Sequence, residues 1–90
     1  MKSGFYADYD KIPKNAVIRT RRKGDTFTKF GGGTKPLSDF FTEKKIPLLE
    51  RDSYPLIASE KTVFAIFDLA VSEKIKVDDS TLKIIKFTKE

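Results

Sequence analysis

The sequence contains no cysteine and no histidine. Without cysteine there can be no disulfide framework, and the usual ligands of a zinc site are missing together with the usual general base at neutral pH. These absences point to a reducing compartment and away from metal or triad chemistry. We therefore expect no catalytic residue and no metal site in this chain.

Long apolar runs are also missing. The longest unbroken run covers residues 63–67, far below the roughly 20 residues that a membrane-spanning helix needs. Residues 1–4 have no apolar core of the kind found in signal peptides. We expect a cytoplasmic protein, or a piece of one, without a membrane partner.

The chain has 90 residues, which is the length of one domain, and no internal repeat divides it. A domain of this size buries only about 60–65% of the surface of its unfolded chain, so the core will be small. Eight Phe and three Tyr can still close a compact fold, because each buried aromatic side chain removes roughly 150–250 Å² from water. Residues 1–90 are predicted to form a single domain.

Apolar segments bounded by turn residues predict strands and two short helices. Strands are expected at 5–7, 16–22, 55–58, 62–67, 69–71 and 82–87, with 63–67 central and a bulge or two-sided burial at 84–85. One helix should cover about 39–45 with Ser38 as its N-cap, and Pro47 should open another. The predicted fold class is α+β: mainly antiparallel strands, sandwich-like, with two short helices between the first and second groups of strands.

The excess positive charge is concentrated in residues 19–45. This segment holds eight basic and three acidic residues, a net charge of +5 that equals the charge of the whole chain. Such concentration is what an anionic partner would require, and a phosphate backbone is the expected partner.

Arginines and glycines dominate the first part of this segment. Period two places Arg19 and Arg21 on one face of the strand predicted for 16–22, roughly 7 Å apart. The alternative is that both arginines pair with carboxylates across a sheet. Gly24 and Asp25 should form the turn that follows; Asp25 could act catalytically, but a carboxylate at that place is more typically an acceptor for backbone N–H groups one or two residues further along the chain.

Gly31, Gly32 and Gly33 permit positive φ and can form an anion-binding concavity. The spacing of a nucleotide-binding P-loop is absent, as is a Rossmann fingerprint, so no ATP site is expected in these residues. Phe27 and Phe30 should anchor the segment in the core.

The predicted helix carries further aromatic and basic residues. Phe40 and Phe41 could stack on bases, although core packing is the preferred interpretation. Lys44 and Lys45 at its end could complement the helix dipole or share a phosphate surface with the glycine loop. Asp78 and Asp79 beside Ser80 predict a turn rather than a metal pair.

The resulting hypothesis assigns two sets of residues. The structural turns are Gly24, Asp25, Gly31, Gly32 and Gly33. The candidate RNA contacts are Arg19, Arg21, Arg22, Lys29, Lys35, Lys44 and Lys45.

A family resemblance rests on motifs spread over residues 6–87. They are Arg19-x-Arg21, Gly24-Asp25-x-Phe27, Gly31 to Gly33 with Lys35, Leu37-x-Asp39-Phe40-Phe41, Lys45-Ile46-Pro47, Arg51, Pro55, Val77 and Thr81. With these motifs the chain resembles the C-terminal domain of bacterial tRNA(Ile)-lysidine synthetase. Lys23 and Leu48 depart from the family, which often has Pro and a basic residue at these positions.

The resemblance implies a role within a larger enzyme. That enzyme is an ATP-dependent ligase that joins lysine to the wobble cytidine of an isoleucine tRNA with anticodon CAU. The resemblance places ATP with Mg, and the lysine substrate, in the catalytic N-terminal domain, whose Ser-Gly-Gly-x-Asp-Ser loop is absent here. This domain would grip the acceptor stem and require no cofactor, and its partners would be tRNA and the remainder of the synthetase. The alternatives are a protein-interaction or homodimerisation domain using the basic surface, and an autonomous hydrolase using Asp25.

Overall fold

The computed structural model describes residues 5–87. The prediction that residues 1–4 do not form a signal peptide concerns residues outside this range. The described chain forms eight strands, one α-helix and three 3₁₀ helices. The strands are β1 (Tyr6–Asp8), β2 (Val17–Arg19), β3 (Thr26–Lys29), β4 (Gly33–Pro36), β5 (Leu56–Ser59), β6 (Thr62–Ile66), β7 (Ala70–Val71) and β8 (Ile84–Lys86). Helix α1 is Leu37–Glu43, and the 3₁₀ helices are Tyr9–Lys11, Leu48–Ser53 and Glu73–Ile75.

The strands form two sheets. The larger has the order β2-β5-β6-β3-β4 with β7 beside β6, and the smaller pairs β1 with β8. Every pair is antiparallel except β3 with β6. Helix α1 and the 3₁₀ helix Leu48–Ser53 follow one another between β4 and β5. The predicted fold class, mainly antiparallel with two short helices between two groups of strands, is confirmed.

Strand β6 is central and is buried on both faces. Val63 and Ile66 face a core that contains α1, whereas Phe64 and Ala65 face a second core beside the small sheet. This departure from strict alternation follows from a register shift between β5 and β6, where Ala58 pairs with Val63 but Ile57 pairs with Ala65. One bulged strand therefore serves two apolar clusters.

Helix α1 begins and ends differently from the prediction. Its buried residues, Leu37, Phe40 and Phe41, have the i, i+3, i+4 spacing of an amphipathic helix. The predicted Ser38 N-cap is wrong, because the capping position is Pro36 and has no side-chain cap bond. The Leu37 N–H instead donates to the Asp25 carbonyl at 2.8 Å, so backbone of the neighbouring turn satisfies this end of the helix.

Two other predictions about apolar residues are wrong. Phe30 does not anchor the core, since 59% of it is exposed at the turn between β3 and β4. The bulge or two-sided burial expected at 84–85 is not found: β1 and β8 pair in regular register, and Ile84 is 60% exposed. The predicted core positions Phe27, Phe40 and Phe41 are confirmed.

Candidate nucleic-acid interface

Arg19 and Asp25 form a buried ion pair beside the end of β2. The Arg19 guanidinium donates to both Asp25 carboxylate oxygens at 2.8 and 3.0 Å, and to the carbonyls of Thr20 and Glu60 at 2.9 and 2.6 Å. Only 8% of the Arg19 side chain and 1% of the Asp25 side chain are exposed. The hydrogen bonds with Asp25 raise the pKa of Arg19, against the opposing effect of burial. This pair connects the β2 end to the turn before β3.

Asp25 also fixes the local backbone, as the sequence predicted for it. Its Oδ2 accepts from the Arg22 N–H at 2.7 Å. Asp25 therefore accepts from the backbone as predicted, but the predicted donor position is wrong, because Arg22 precedes Asp25 in the chain. Gly24 makes this turn with φ of +90°, a conformation that side chains other than glycine rarely adopt. The assignment of Arg19 as an RNA contact stays a prediction, and its geometry gives it a structural task.

Arg21 lies beyond the strand rather than on a face shared with Arg19. Strand β2 ends at Arg19, and the Arg21 Nε donates to Asp52 at 2.8 Å, a carboxylate with 72% of its side chain exposed. Arg22 is exposed and takes part in none of the salt bridges among residues 5–87. A cleft of about 560 Å³ separates this turn from the start of α1; its basic lining residues are Arg21, Arg22 and Lys23.

Lys29 and Lys35 converge on one carboxylate. They lie on β3 and β4, and each donates to a different oxygen of Glu43 at 2.6 Å. Hydrogen bonds from the two lysines lower the pKa of Glu43 to about 2. The three side chains remain about one-third exposed, so these ion pairs are open to solvent and to competing ions.

The glycine turn joins β3 to β4 as a hairpin. Gly31 and Gly33 have φ of +67° and +73°, and the Gly31 N–H donates to a Glu73 carboxylate oxygen at 2.6 Å. The Gly31 N–H thus has a carboxylate of the domain itself as its partner, and the anion-binding concavity expected for the three glycines stays a prediction. A P-loop must lead into a helix, whereas this loop connects two strands, so it does not fit ATP.

Lys44 and Lys45 end helix α1. The Lys45 N–H donates to the Thr42 carbonyl and the Ile46 N–H to the Phe41 carbonyl, both at 3.0 Å, which is the Schellman pattern. Lys45 takes the left-handed position of that motif with φ of +60°. The Lys44 ammonium lies 5.6 Å from the centroid of the Phe40 ring. Both lysines are exposed, and among residues 5–87 neither forms a salt bridge.

Two groups of cations therefore lie at the two ends of α1. We call Arg21, Arg22 and Lys23 the arginine group, beside the start of the helix. Lys29, Lys35, Lys44 and Lys45 form the lysine group, around its end. Seven residues of α-helix separate them by roughly 10 Å, a distance that one folded polyanion can span.

Sequence reasoning missed the carboxylates that face these cations. Glu43, Asp52 and Glu73 lie in separate segments of the chain, and no local pattern marks them as partners of the hairpin and of the basic residues. The contacts of Arg51 were also not predicted. Arg51 donates to the Ile46 and Ser38 carbonyls and lies 5.5 Å from the Phe41 ring centroid. Arg51 thus joins the 3₁₀ helix Leu48–Ser53 to α1. The sequence spacing of Lys29, Lys35 and Glu43 does not predict their contact, which depends on how the β3–β4 hairpin packs against α1.

The remaining polar motif is a turn, as predicted. Asp78 accepts from the Ser80 N–H at 2.9 Å and pairs with Lys11 at 2.6 Å. These bonds hold the pKa of Asp78 below its usual range, with Lys11 contributing most. Within residues 5–87, no group of Cys, His, Asp and Glu could hold a metal ion, and no helix is long and apolar enough to cross a membrane.

The fold and the site describe a small, mainly β domain with a basic surface. The family profile described as "TilS substrate C-terminal domain" matches residues 16–86, and the chain belongs to that family. A crystal structure of a "TILS C-terminal domain" has a TM-score of 0.70 and 29% sequence identity, covering 93% of this chain and 68% of the other.

Curated relatives agree with this assignment. A tRNA(Ile)-lysidine synthase of Caldanaerobacter subterraneus is 44% identical over 88 residues, covering 94% of this chain and 19% of the relative. The Clostridium tetani tRNA(Ile)-lysidine synthase is 42% identical over 82 residues, covering 90% and 18%. The chain therefore spans about a fifth of the length of the curated relatives it matches.

Proposed function

We propose that this domain binds tRNA for a tRNA(Ile)-lysidine synthase. In this proposal the remainder of the synthase, acting in the cytoplasm, uses ATP to join lysine to the wobble cytidine of an isoleucine tRNA with anticodon CAU. The 90 residues contribute binding and no chemistry. The observation that carries the proposal is the placement of the arginine and lysine groups at the two ends of α1, in a member of this family.

The mode of binding follows from the chemistry of helical RNA. The bases of an A-form stem are hidden in a deep, narrow major groove, so a protein reads its shape, phosphates and 2′-hydroxyls. A rigid surface with separated cation groups suits such a stem, and the acceptor stem is the proposed target. A grip on the stem would raise the effective concentration of the anticodon loop at a distant active site.

The test is a titration of a CAU-anticodon tRNA transcript against the chain at several salt concentrations, followed by fluorescence anisotropy. If about four or five phosphates are neutralised, log K should fall with log[salt] with a slope of roughly −3 to −4. Arg21→Ala and Lys35→Ala should each weaken binding and reduce the slope by about 0.7–0.9. Lys14→Ala, which removes an exposed cation outside residues 19–45, is the matched control. The assignment of this surface is wrong if Arg21→Ala and Lys35→Ala both bind like the parent at low salt.

A second candidate function is pairing with another copy of the chain. Strand β2 is an edge of the large sheet, and its Val17 and Ile18 are 52% and 66% exposed. Exposed apolar edge strands can add a strand from a second molecule. Sizing at several protein concentrations, with and without tRNA, separates the two functions: a dimer that forms without tRNA supports pairing, whereas a monomer that shifts only with tRNA supports RNA binding.

A further inference from the structure

The anion-binding groups of the β3–β4 hairpin are already occupied by carboxylates of the domain. Glu43, at the end of α1, holds Lys29 and Lys35. Glu73, from the 3₁₀ helix Glu73–Ile75, accepts the Gly31 N–H. The two carboxylates come from two separate elements and meet the same hairpin. An RNA phosphate that approaches this hairpin therefore meets groups that already have an anionic partner.

From this arrangement we infer that Glu43 occupies a phosphate site, and that RNA binding at this hairpin exchanges its carboxylate for a backbone phosphate. The inference rests on the proposed function. Both groups carry one negative charge and accept hydrogen bonds from lysine ammonium groups. Lys29 and Lys35 would keep a partner throughout, changing only which anion they hold.

Exposure distinguishes this ion pair from the one that holds the β2 end. The Lys29, Lys35 and Glu43 side chains are each about one-third exposed, whereas the Asp25 side chain is 1% exposed. Solvent-exposed pairs contribute little to stability and are weakened by salt. The Glu43 pairs can therefore exchange their anion without loss of the fold, and the Arg19–Asp25 pair cannot.

The exchange makes Glu43 a residue that determines specificity. A single phosphate competes at a disadvantage, because the Glu43 carboxylate is tethered beside the lysines at a high effective concentration. A stem that places several phosphates against both cation groups at once gains effective concentration at each further contact. Glu43 thus suppresses binding of isolated or badly spaced anions more than binding of a matched stem.

The experiment compares Glu43→Gln with Asp39→Asn. Asp39 precedes Glu43 by one turn of the same helix, is exposed, and makes none of the salt bridges within residues 5–87. Each variant removes one negative charge. Glu43→Gln should bind tRNA about three- to tenfold more tightly than the parent at low salt. Its salt slope should steepen by about 0.7–0.9, and its preference for tRNA over poly(U) should fall. Asp39→Asn should change affinity by less than about twofold.

Two results would overturn the inference. Equal gains from Glu43→Gln and Asp39→Asn would mean that only net charge matters. Weaker binding by Glu43→Gln would mean that Glu43 orients the lysines for RNA instead of competing with it.

A second probe, tripolyphosphate, separates this inference from the proposed function. Its binding is followed by NMR of the lysine ammonium groups. If tRNA binds neither protein but tripolyphosphate shifts the Lys29 and Lys35 signals more strongly in Glu43→Gln, the exchange stands and the RNA function fails. If neither probe distinguishes the variant from the parent, the exchange itself is refuted.

Discussion

Removal of the Asp25 carboxylate should destabilise the domain more than loss of any exposed ion pair. Asp25→Ala leaves the Arg19 guanidinium, 8% exposed, without a counter-charge, and frees the Arg22 N–H that organises the turn. Removing one partner of a buried pair costs about 3–5 kcal/mol. A domain of this length has a free energy of unfolding of roughly 5–13 kcal/mol, so the variant should lose about a quarter of its stability or more.

Urea denaturation followed by circular dichroism measures this loss of free energy, and a thermal melt followed by the same signal measures the fall in Tm. In a domain of this size each kcal/mol lowers Tm by about 4–8 °C, so a fall of at least 12 °C is expected. The control is Arg21→Ala, which breaks the exposed pair with Asp52 and should cost about 0–1 kcal/mol. The double variant Arg19→Met/Asp25→Ala should recover part of the loss, because it removes the unpaired charge. Equal effects of Asp25→Ala and Arg21→Ala, both below about 1 kcal/mol, would refute the structural role of the pair.

Three further predictions concern the end of α1, the aromatic residues and the effect of acid. Lys45→Gly should raise the free energy of unfolding, measured by urea denaturation, by about 0.5–1 kcal/mol, because glycine adopts the left-handed φ of +60° at that position without strain. An unchanged or lower stability would show that the Lys45 backbone is not strained there. Phe27→Ala should cost about 3–5 kcal/mol, whereas Phe30→Ala should cost less than about 1 kcal/mol, since the two are 1% and 59% exposed; similar losses in parallel melts would contradict the assignment of Phe30 to the surface. Glu43, whose pKa is lowered to about 2 by the two lysines, should add a small amount of stability, because its ion pairs are exposed to solvent. This stability should be fully present above about pH 4.5 and be lost as the pH falls through 2; Glu43→Gln should lack this part of the acid transition, and a parent-like acid titration of the variant would contradict it.

Much of the fold could be predicted from local patterns. The hairpin of β5 and β6, the helix carrying Phe40 and Phe41, and the turn at Asp78 each depend on neighbours in the chain. The Ser38 cap could not be excluded locally, because the first N–H of α1 is satisfied by the Asp25 carbonyl from another segment. Phe30 was misplaced because hydrophobicity alone does not show that a residue lies at a turn.

The candidate site could be predicted only in part. Composition identified the segment that carries the excess charge, since that is a property of a continuous stretch of sequence. It could not reveal that Lys29 and Lys35 share Glu43, or that Arg19 is buried, because these contacts depend on how separate elements pack. The period-two argument placed Arg19 and Arg21 together, whereas the strand ends between them.

The small sheet has a consequence for how the domain can be attached to other chain segments. Tyr6 of β1 pairs with Lys86 of β8, and the Phe87 N–H donates to the Phe5 carbonyl at 2.9 Å. The first and the last described residues of the domain are thus neighbours in the small sheet. Chain segments joined before β1 and after β8 would therefore be attached on the same side of the domain, next to the small sheet.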